Sequence, residues 1–254
     1  FKPDGTKMFV SGSSSDSVNE YSLSTAWDVS TASYVQNFAT GDSGQSGVAF
    51  SDDGTKMYTI GTTLDYIKEW SLSTAWSLST VTFVQDSGEL VINSYDIQLV
   101  NDNKLYVVSS YSGIDTVVGY TLNTDKDIRT IDGILQGDSE LNTGNYDLLG
   151  GCGISADGTK FFVVDWDNND RLTEFALPTP YELTGATRTG NFISIEPGTN
   201  ESQPYSVHFS ENGTQIYIAG GAGQRAIYMY KLSTAWDITT ASLFKRRLNL
   251  YSIL

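Results

Sequence analysis

Chemistry needs titratable, ligating or stacking side chains held close together, and few stretches of this chain offer them. The densest is Asp165-Trp166-Asp167-Asn168-Asn169-Asp170. Carboxylate and amide oxygens spaced this way suit a hard cation, Ca2+ above all. The run opens like an EF-hand loop, but Asp170 stands where the turn glycine belongs and Ala176 where the closing glutamate belongs. Asp16, Asp65 and Asp115 hold the place of Asp170 elsewhere in the chain. Their competing role is to fix a turn by bonding backbone N–H groups. Trp166 has no aromatic counterpart except Tyr111, so its ring is a candidate platform for a stacked ligand. Ca2+ at this run is the one cofactor that the residue types raise.

His208 is the only histidine. It alternates with Val207 and Phe209, and no second His or Cys cluster supports it as a metal ligand, so lining a strand is its expected role. The single cysteine, Cys152, precludes an internal disulfide and reads as a buried thiol. Glycoside hydrolysis would need two convergent carboxylates. The comparable inner-strand positions are Gly47, Asp96, Gly151, Ser206 and Ser252, of which Asp96 alone is acidic. A second carboxylate would have to come from a loop such as Asp147. Neither a Gly-x-Ser-x-Gly elbow nor a phosphate loop is present. The balance falls toward binding rather than catalysis.

These residues are positioned by a repeat. Glu69-Trp70-Ser71-Leu72-Ser73-Thr74-Ala75-Trp76 returns as Glu20-Tyr21-Ser22-Leu23-Ser24-Thr25-Ala26-Trp27 and as Met229-Tyr230-Lys231-Leu232-Ser233-Thr234-Ala235-Trp236. Lys126 and Tyr181 match the last Trp in two further units. A second marker is a short apolar strand ending in a turn, as in Phe50-Ser51-Asp52-Asp53-Gly54-Thr55-Lys56. The expected turn positions are Gly5, Gly54, Asn103, Gly158 and Gly213, where glycine takes positive φ without a Cβ penalty. Each unit then reads as four short strands, the outermost exemplified by Ser33–Phe38 and Thr82–Gln85. No segment has a useful helical period.

Four antiparallel strands recurring about every 50 residues are the signature of a propeller blade. The expectation is all-β: a five-bladed β-propeller in one domain, 1–254, with units of about 1–46, 47–94, 95–150, 151–204 and 205–254. Tyr251-Ser252-Ile253-Leu254 followed by Phe1 would read as an inner strand and its turn. The C-terminal strand is therefore expected to complete the first blade, though an excised array would join its units equally well.

The Asp-Gly-Thr-Lys units resemble the YVTN-type and WD-like repeats of bacterial β-propellers. With Leu-Ser-Thr-Ala-Trp-Asp, they are similar to the repeats of uncharacterised marine bacterial and bacteriophage surface proteins. Tachylectin-type lectins share the five-blade plan, and from them only the architecture carries over. The resemblance implies an extracellular, cell-surface or virion setting.

The chain carries a net charge of −15. That disfavours nucleic acid, which demands clustered Lys and Arg; Lys245-Arg246-Arg247 is too small a cluster. No run of about 18 apolar residues spans a membrane. In each unit the Asp-Gly turn and the Ser-Thr-Ala-Trp loop fall at one end, and the hairpins and crossovers, which vary, at the other. A glycan or protein partner is expected at the varying end, with Trp166, Asp165, Asp167, Tyr111, Tyr146 and Asp96 as candidate ligand-binding residues. Trp27, Trp76 and Trp236 read as packing residues between blades. The alternatives are a hydrolase of glycosidase or lactonase type and a pure scaffold.

Overall fold

The computed structural model describes residues 1–63, 66–88, 94–111, 114–132, 139–141, 149–165, 170–195, 203–220 and 226–249. The expected C-terminal strand, 251–254, lies outside them. The fold is all-β, a five-bladed β-propeller built from five successive antiparallel sheets. Three described strands of blade one are Lys7–Gly12, Ser17–Leu23 and Ala32–Ala39. Blade two runs Gln45–Phe50, Lys56–Gly61, Lys68–Leu72 and Val81–Asp86. Blade three runs Ser94–Val100, Lys104–Tyr111, Ile114–Leu122 and the short Ile131–Asp132, with Ser139–Leu141 in the same sheet. Blade four is Leu149–Ile154, Lys160–Asp165, Arg171–Ala176 and Thr187–Ser194. Blade five is Pro204–Phe209, Gln215–Gly220, Ala226–Leu232 and Ala241–Asn249. The chain forms two compact units, residues 1–140 and 141–253. The first holds blades one to three, the second blades four and five.

The repeated end of each blade is built by two local rules. The backbone N–H of Trp27, Trp76, Tyr181 and Trp236 donates to the carbonyl of Gly5, Gly54, Gly158 and Gly213 in turn, at 2.9–3.0 Å. All four residues, and Lys126 of blade three, take φ of 60–65°, a left-handed conformation unusual for large side chains. That conformation lays the ring flat on the turn: a Cβ on those glycines would fall 2.1–2.6 Å from ring atoms. Glycine is thus required twice over, for its positive φ and for the close approach. Blade three departs from the expected pattern. Its turn is one residue shorter, Asn101 and Asp102 take the positive φ (51° and 57°), and Lys126 N–H donates to Asp102 O. Asp102, not Asn103, is the counterpart of the glycines.

After each Trp position the chain makes a single 3-10 turn in four blades, at Val29–Thr31, Leu78–Thr80, Ile128–Thr130 and Ile238–Thr240. Asp28, Asp127 and Asp237 cap three of them through their side chains. The turn drives one apolar side chain inward, Val29, Leu78, Ile128 or Ile238, and blade four buries Leu183 at the same place without a 3-10 turn. The Trp residues pack as expected of framework residues. Trp76 stacks on Phe50 of its own blade at 5.1 Å and reaches Phe9 of blade one at 6.2 Å. Trp236 stacks on Phe209 at 5.1 Å.

The third strand carries a feature that hydrophobic patterning hides. Glu20, Glu69 and Glu174 point into the interior and are 1–2% exposed. Each is paired with a lysine of the second strand, Lys7, Lys56 or Lys160. An amide from the fourth strand adds a bond: Gln36 at 2.7 Å, Gln85 at 2.6 Å, Asn191 at 3.0 Å. The same groups reach the next blade. Leu78 N–H donates to Glu20 at 3.0 Å and Ile128 N–H to Glu69 at 3.3 Å. Lys7 donates to Trp76 O at 2.8 Å and Lys160 to Trp236 O at 2.9 Å. Blades three and five have Gly119 and Met229 at the glutamate position, opposite Tyr106 and Tyr217 as Glu69 is opposite Tyr58.

The fourth strand slips in register beside this cluster in blades one, two, four and five. In blades one, two and five the extra residue is Val35, Val84 or Phe244, each more than 40% exposed. The bulge leaves Gln36 and Gln85 opposite Glu20 and Glu69.

Burial alone would push the Glu20 carboxyl up, but the bonds from Lys7, Gln36 and Leu78 N–H outweigh it and hold it below the usual carboxylate range. A lowered folded-state value means stability that is present above the unfolded value of about 4.3 and lost as pH falls through the folded one. Glu20→Gln should therefore cost about 2 kcal/mol at pH 7, a drop of about 4–8 °C in Tm. The deficit should shrink below about pH 4. Thermal unfolding across pH checks both.

Candidate functional site

At the other end of blades two to five the first strand is not a regular ladder. Its register shifts between Gln45 and Gly47, Ser94 and Asp96, Leu149 and Cys152, and Pro204 and Ser206. The residues thrown out are Ser46 in blade two, Tyr95 in blade three and Tyr205 in blade five, with the Gly150-Gly151 pair in blade four. A bulge re-aims side chains and is common beside binding sites. Asp96 follows one such bulge directly, is half-buried and opposes Val108. Tyr205 is 43% exposed, and its hydroxyl donates to Gln203 at 2.7 Å. Ser46 ties neighbouring blades together: its hydroxyl donates to Ser94 O at 2.8 Å, and Ser11 donates to Ser46 O at 2.7 Å.

The other residues expected from the sequence fall as follows. Asp165 ends the second strand of blade four, is 2% exposed and stands opposite Arg171. Trp166, Asp167 and Tyr146 lie outside the described residues. Tyr111 ends the second strand of blade three, with its side chain outside the described set. Asp96 belongs to the first unit and Asp165 to the second. His208 is half-buried on the first strand of blade five, opposite Tyr217, and burial pushes its imidazole well below the usual range, so it is neutral. Cys152 is buried and forms no disulfide. Asp16 and Asp170 do occupy turn positions, with φ of 48° and 43°. The Asp16 carboxylate, however, accepts from Gly44 N–H at 2.7 Å, tying the hairpin to the crossover rather than closing its own turn.

That crossover, Thr40–Gly44, is the best-defined varying loop and is fastened on both sides. Thr40 N–H donates to Asp16 O at 3.2 Å, and Thr62 N–H of the next hairpin donates to Gly44 O at 3.0 Å. Lys68, itself 9% exposed, donates to Thr40 O at 3.1 Å. Beneath the loop sits Asp42, 1% exposed, and neither of its carboxylate oxygens meets a donor. Its carboxyl carbon would lie 2.9 Å from a Cβ on Gly61, so the group rests flat on that glycine. Burial pushes the carboxyl up, the Lys68 ammonium draws it down and Asp16 pushes it up further. Tyr66 lies 5.9 Å from Lys68 Nζ and feels the charges of Asp42 and Asp86. The sequence reading passed over Asp42, Lys68 and Gln45. The usable signal was an acidic residue in a glycine-bounded crossover, Gly41-Asp42-Ser43-Gly44, opposite a lysine that opens a strand.

No protein-family model matches the chain, and no curated protein matches it. Solved structures do. A functionally unknown protein from Desulfotomaculum acetoxidans superposes with a TM-score of 0.53 at 12% identity, over 94% of this chain and 65% of that one. A candidate 6-phosphogluconolactonase from Bacteroides uniformis gives a TM-score of 0.52 at 15% identity, over 96% and 68%. A protein from Lactobacillus plantarum gives 0.53 at 14%, over 95% and 68%. The present chain spans about two thirds of the length of these chains, and at such identities the likeness is one of fold.

Gly61→Ala should destabilise the protein by about 1–3 kcal/mol, because the new methyl displaces the Asp42 carboxylate. In the Asp42→Ala background the same glycine substitution should cost less, because the carboxylate it would displace is gone. Denaturant unfolding of the four proteins in a double-mutant cycle measures that coupling.

Proposed function

We propose that the chain is a non-enzymatic recognition module, acting as one domain, that takes a glycan or protein ligand at the varying ends of its blades. One observation carries this reading. The repeated ends are committed to ring-on-glycine stacking and buried ion pairs, whereas at the other ends the first strands bulge and present Ser46, Tyr95, Asp96 and Tyr205. Such ends are free to differ from blade to blade, and loops held by a rigid scaffold are where binding residues gather. Hydroxyls, a carboxylate and tyrosine rings are the groups that sugars and polar protein surfaces require. The likeness to YVTN- and WD-type repeats of marine bacterial and bacteriophage surface proteins supports an extracellular, cell-surface or virion location. Glycan-array screening, followed by calorimetry of any hit, is the test. Binding weakened at least tenfold by Tyr95→Ala, with folding intact, is the expected result, and silence across the array removes the glycan version.

A second reading, a lactonase- or glycosidase-type hydrolase, draws on the solved candidate 6-phosphogluconolactonases that share the fold. Its acid would be Asp96. A phosphorylated substrate would call on cations, and at the varying end of blade four Arg171 opens the third strand. In the described varying ends of blades one and two the cationic side chain is Lys68, which is buried and bound to Thr40 O. Hydrolysis of a sugar lactone that disappears in Asp96→Asn would favour this reading over the first.

A further inference from the structure

Buried polar atoms without partners are uncommon, and each calls for an explanation such as a bound ion or water. Five of them lie at the varying ends of blades two and three. Asp42 Oδ1 and Oδ2, Gln45 Oε1, Ser94 Oγ and Ser109 Oγ are all buried and unpartnered. Gln45 is 1% exposed and pairs with Gly61, the same glycine on which the Asp42 carboxylate rests. Gln45 spends its amide N–H groups on Gly47 O and Ile60 O, at 2.7 and 2.9 Å, which leaves its carbonyl oxygen as a pure acceptor. Ser94 and Ser109 oppose each other at the corresponding position of blade three. They join this region through Ser46, which bonds both Ile60 O and Ser94 O.

The charge count points the same way. Asp42 and Asp16 act on each other, with one ammonium, Lys68, against them. Asp86 adds a further negative charge at Tyr66. Lys68 spends its ammonium on Thr40 O rather than on an ion pair with Asp42. Among the described residues no three His, Cys, Asp or Glu side chains converge on a point, so a cation here would draw most of its shell from amide and backbone oxygens and water, as Ca2+ can. An ionised carboxylate out of water and without a donor costs several kcal/mol unless a cation or a proton answers it.

We propose that Asp42 and the Gln45 carbonyl oxygen form a site for a hard divalent cation, Ca2+, seated beneath the Thr40–Gly44 crossover. All of its side-chain ligands are oxygens, as Ca2+ prefers. With one or two carboxylates it belongs to the weak class of sites found in extracellular modules, with Kd about 0.1–1 mM. The cation would lock the crossover between the hairpins of blades one and two and so order the varying ends. The site stands independently of the recognition reading: a glycan-silent protein could still bind Ca2+.

The test is thermal unfolding of the whole chain after EDTA dialysis, at constant ionic strength. With 10 mM CaCl2, Tm should rise by about 3–11 °C. MgCl2 should do far less, because Mg2+ demands a stricter octahedral shell. Asp42→Asn should abolish the rise while leaving the circular dichroism spectrum unchanged. An equal rise with Mg2+, a rise retained in Asp42→Asn, or no rise at all overturns the proposal and leaves the oxygens to water or a proton. If Asp42→Asn does not fold, Tb3+ bound to the unaltered protein decides. Tyrosine-sensitised emission that Ca2+ competes away and Tyr66→Phe weakens supports the site; its absence overturns it.

Discussion

A glutamate that is almost wholly buried costs several kcal/mol unless every charge and lone pair on it is answered. Glu20, Glu69 and Glu174 are answered from two sides: by lysine and amide side chains of their own blade, and, through Glu20, Glu69 and Lys160, by the backbone of the blade that follows. Within each unit this fixes how one blade meets the next more sharply than apolar packing does, since a shift of one residue would strand a carboxylate. The Trp loop, its left-handed residue and the 3-10 turn then have a common purpose. Together they present a carbonyl at Trp76 or Trp236, and an N–H at Leu78 or Ile128, where the preceding blade's ion pair meets them. Blades three and five, which carry Gly119 and Met229 instead, are the last blades of their units.

The blade is therefore unequal along its length. At the repeated end nearly every polar group is consumed internally: Asp4, Asp53 and Asp157 each bond the threonine two residues on, and Asn212 does the same with its amide oxygen. At the varying end, polar atoms are left over. Asp42 shows this most clearly, with a carboxylate pressed on Gly61 and no hydrogen bond to either oxygen. Leftover polarity inside a protein is a strain that another molecule can relieve, which is why that end, and not the end with the conspicuous tryptophans, commands interest.

The architecture was legible because it repeats. One unit of 50 residues leaves open several folds, but five in a row, punctuated by Asp-Gly turns, restrict the choice. The correspondence of Lys126 and Tyr181 with the tryptophans could be read from spacing alone, and all five residues share the same left-handed φ. The error at Asn103 arose from assuming a constant turn length, where blade three uses two left-handed residues in a shorter loop. The buried ion pairs were invisible for a different reason. Lys7, Glu20 and Gln36 lie far apart in sequence, and a charged residue in a strand reads as solvent-facing until the register is known. Asp42 was hidden likewise, since an aspartate between glycines looks like any surface loop.

The bulged fourth strands close the account. Among the described residues, blades one, two, four and five each end in a fourth strand at the sheet edge, and those edges expose Tyr34, Phe83, Phe192 and Phe244. An open, flat, apolar edge invites another molecule to add a strand, the first step toward fibrous aggregates. The extra residues at Val35, Val84 and Phe244 interrupt the even spacing of N–H and C=O groups that such growth requires. A device that lets glutamine reach a buried glutamate thus also blunts the edge against the addition of a further strand.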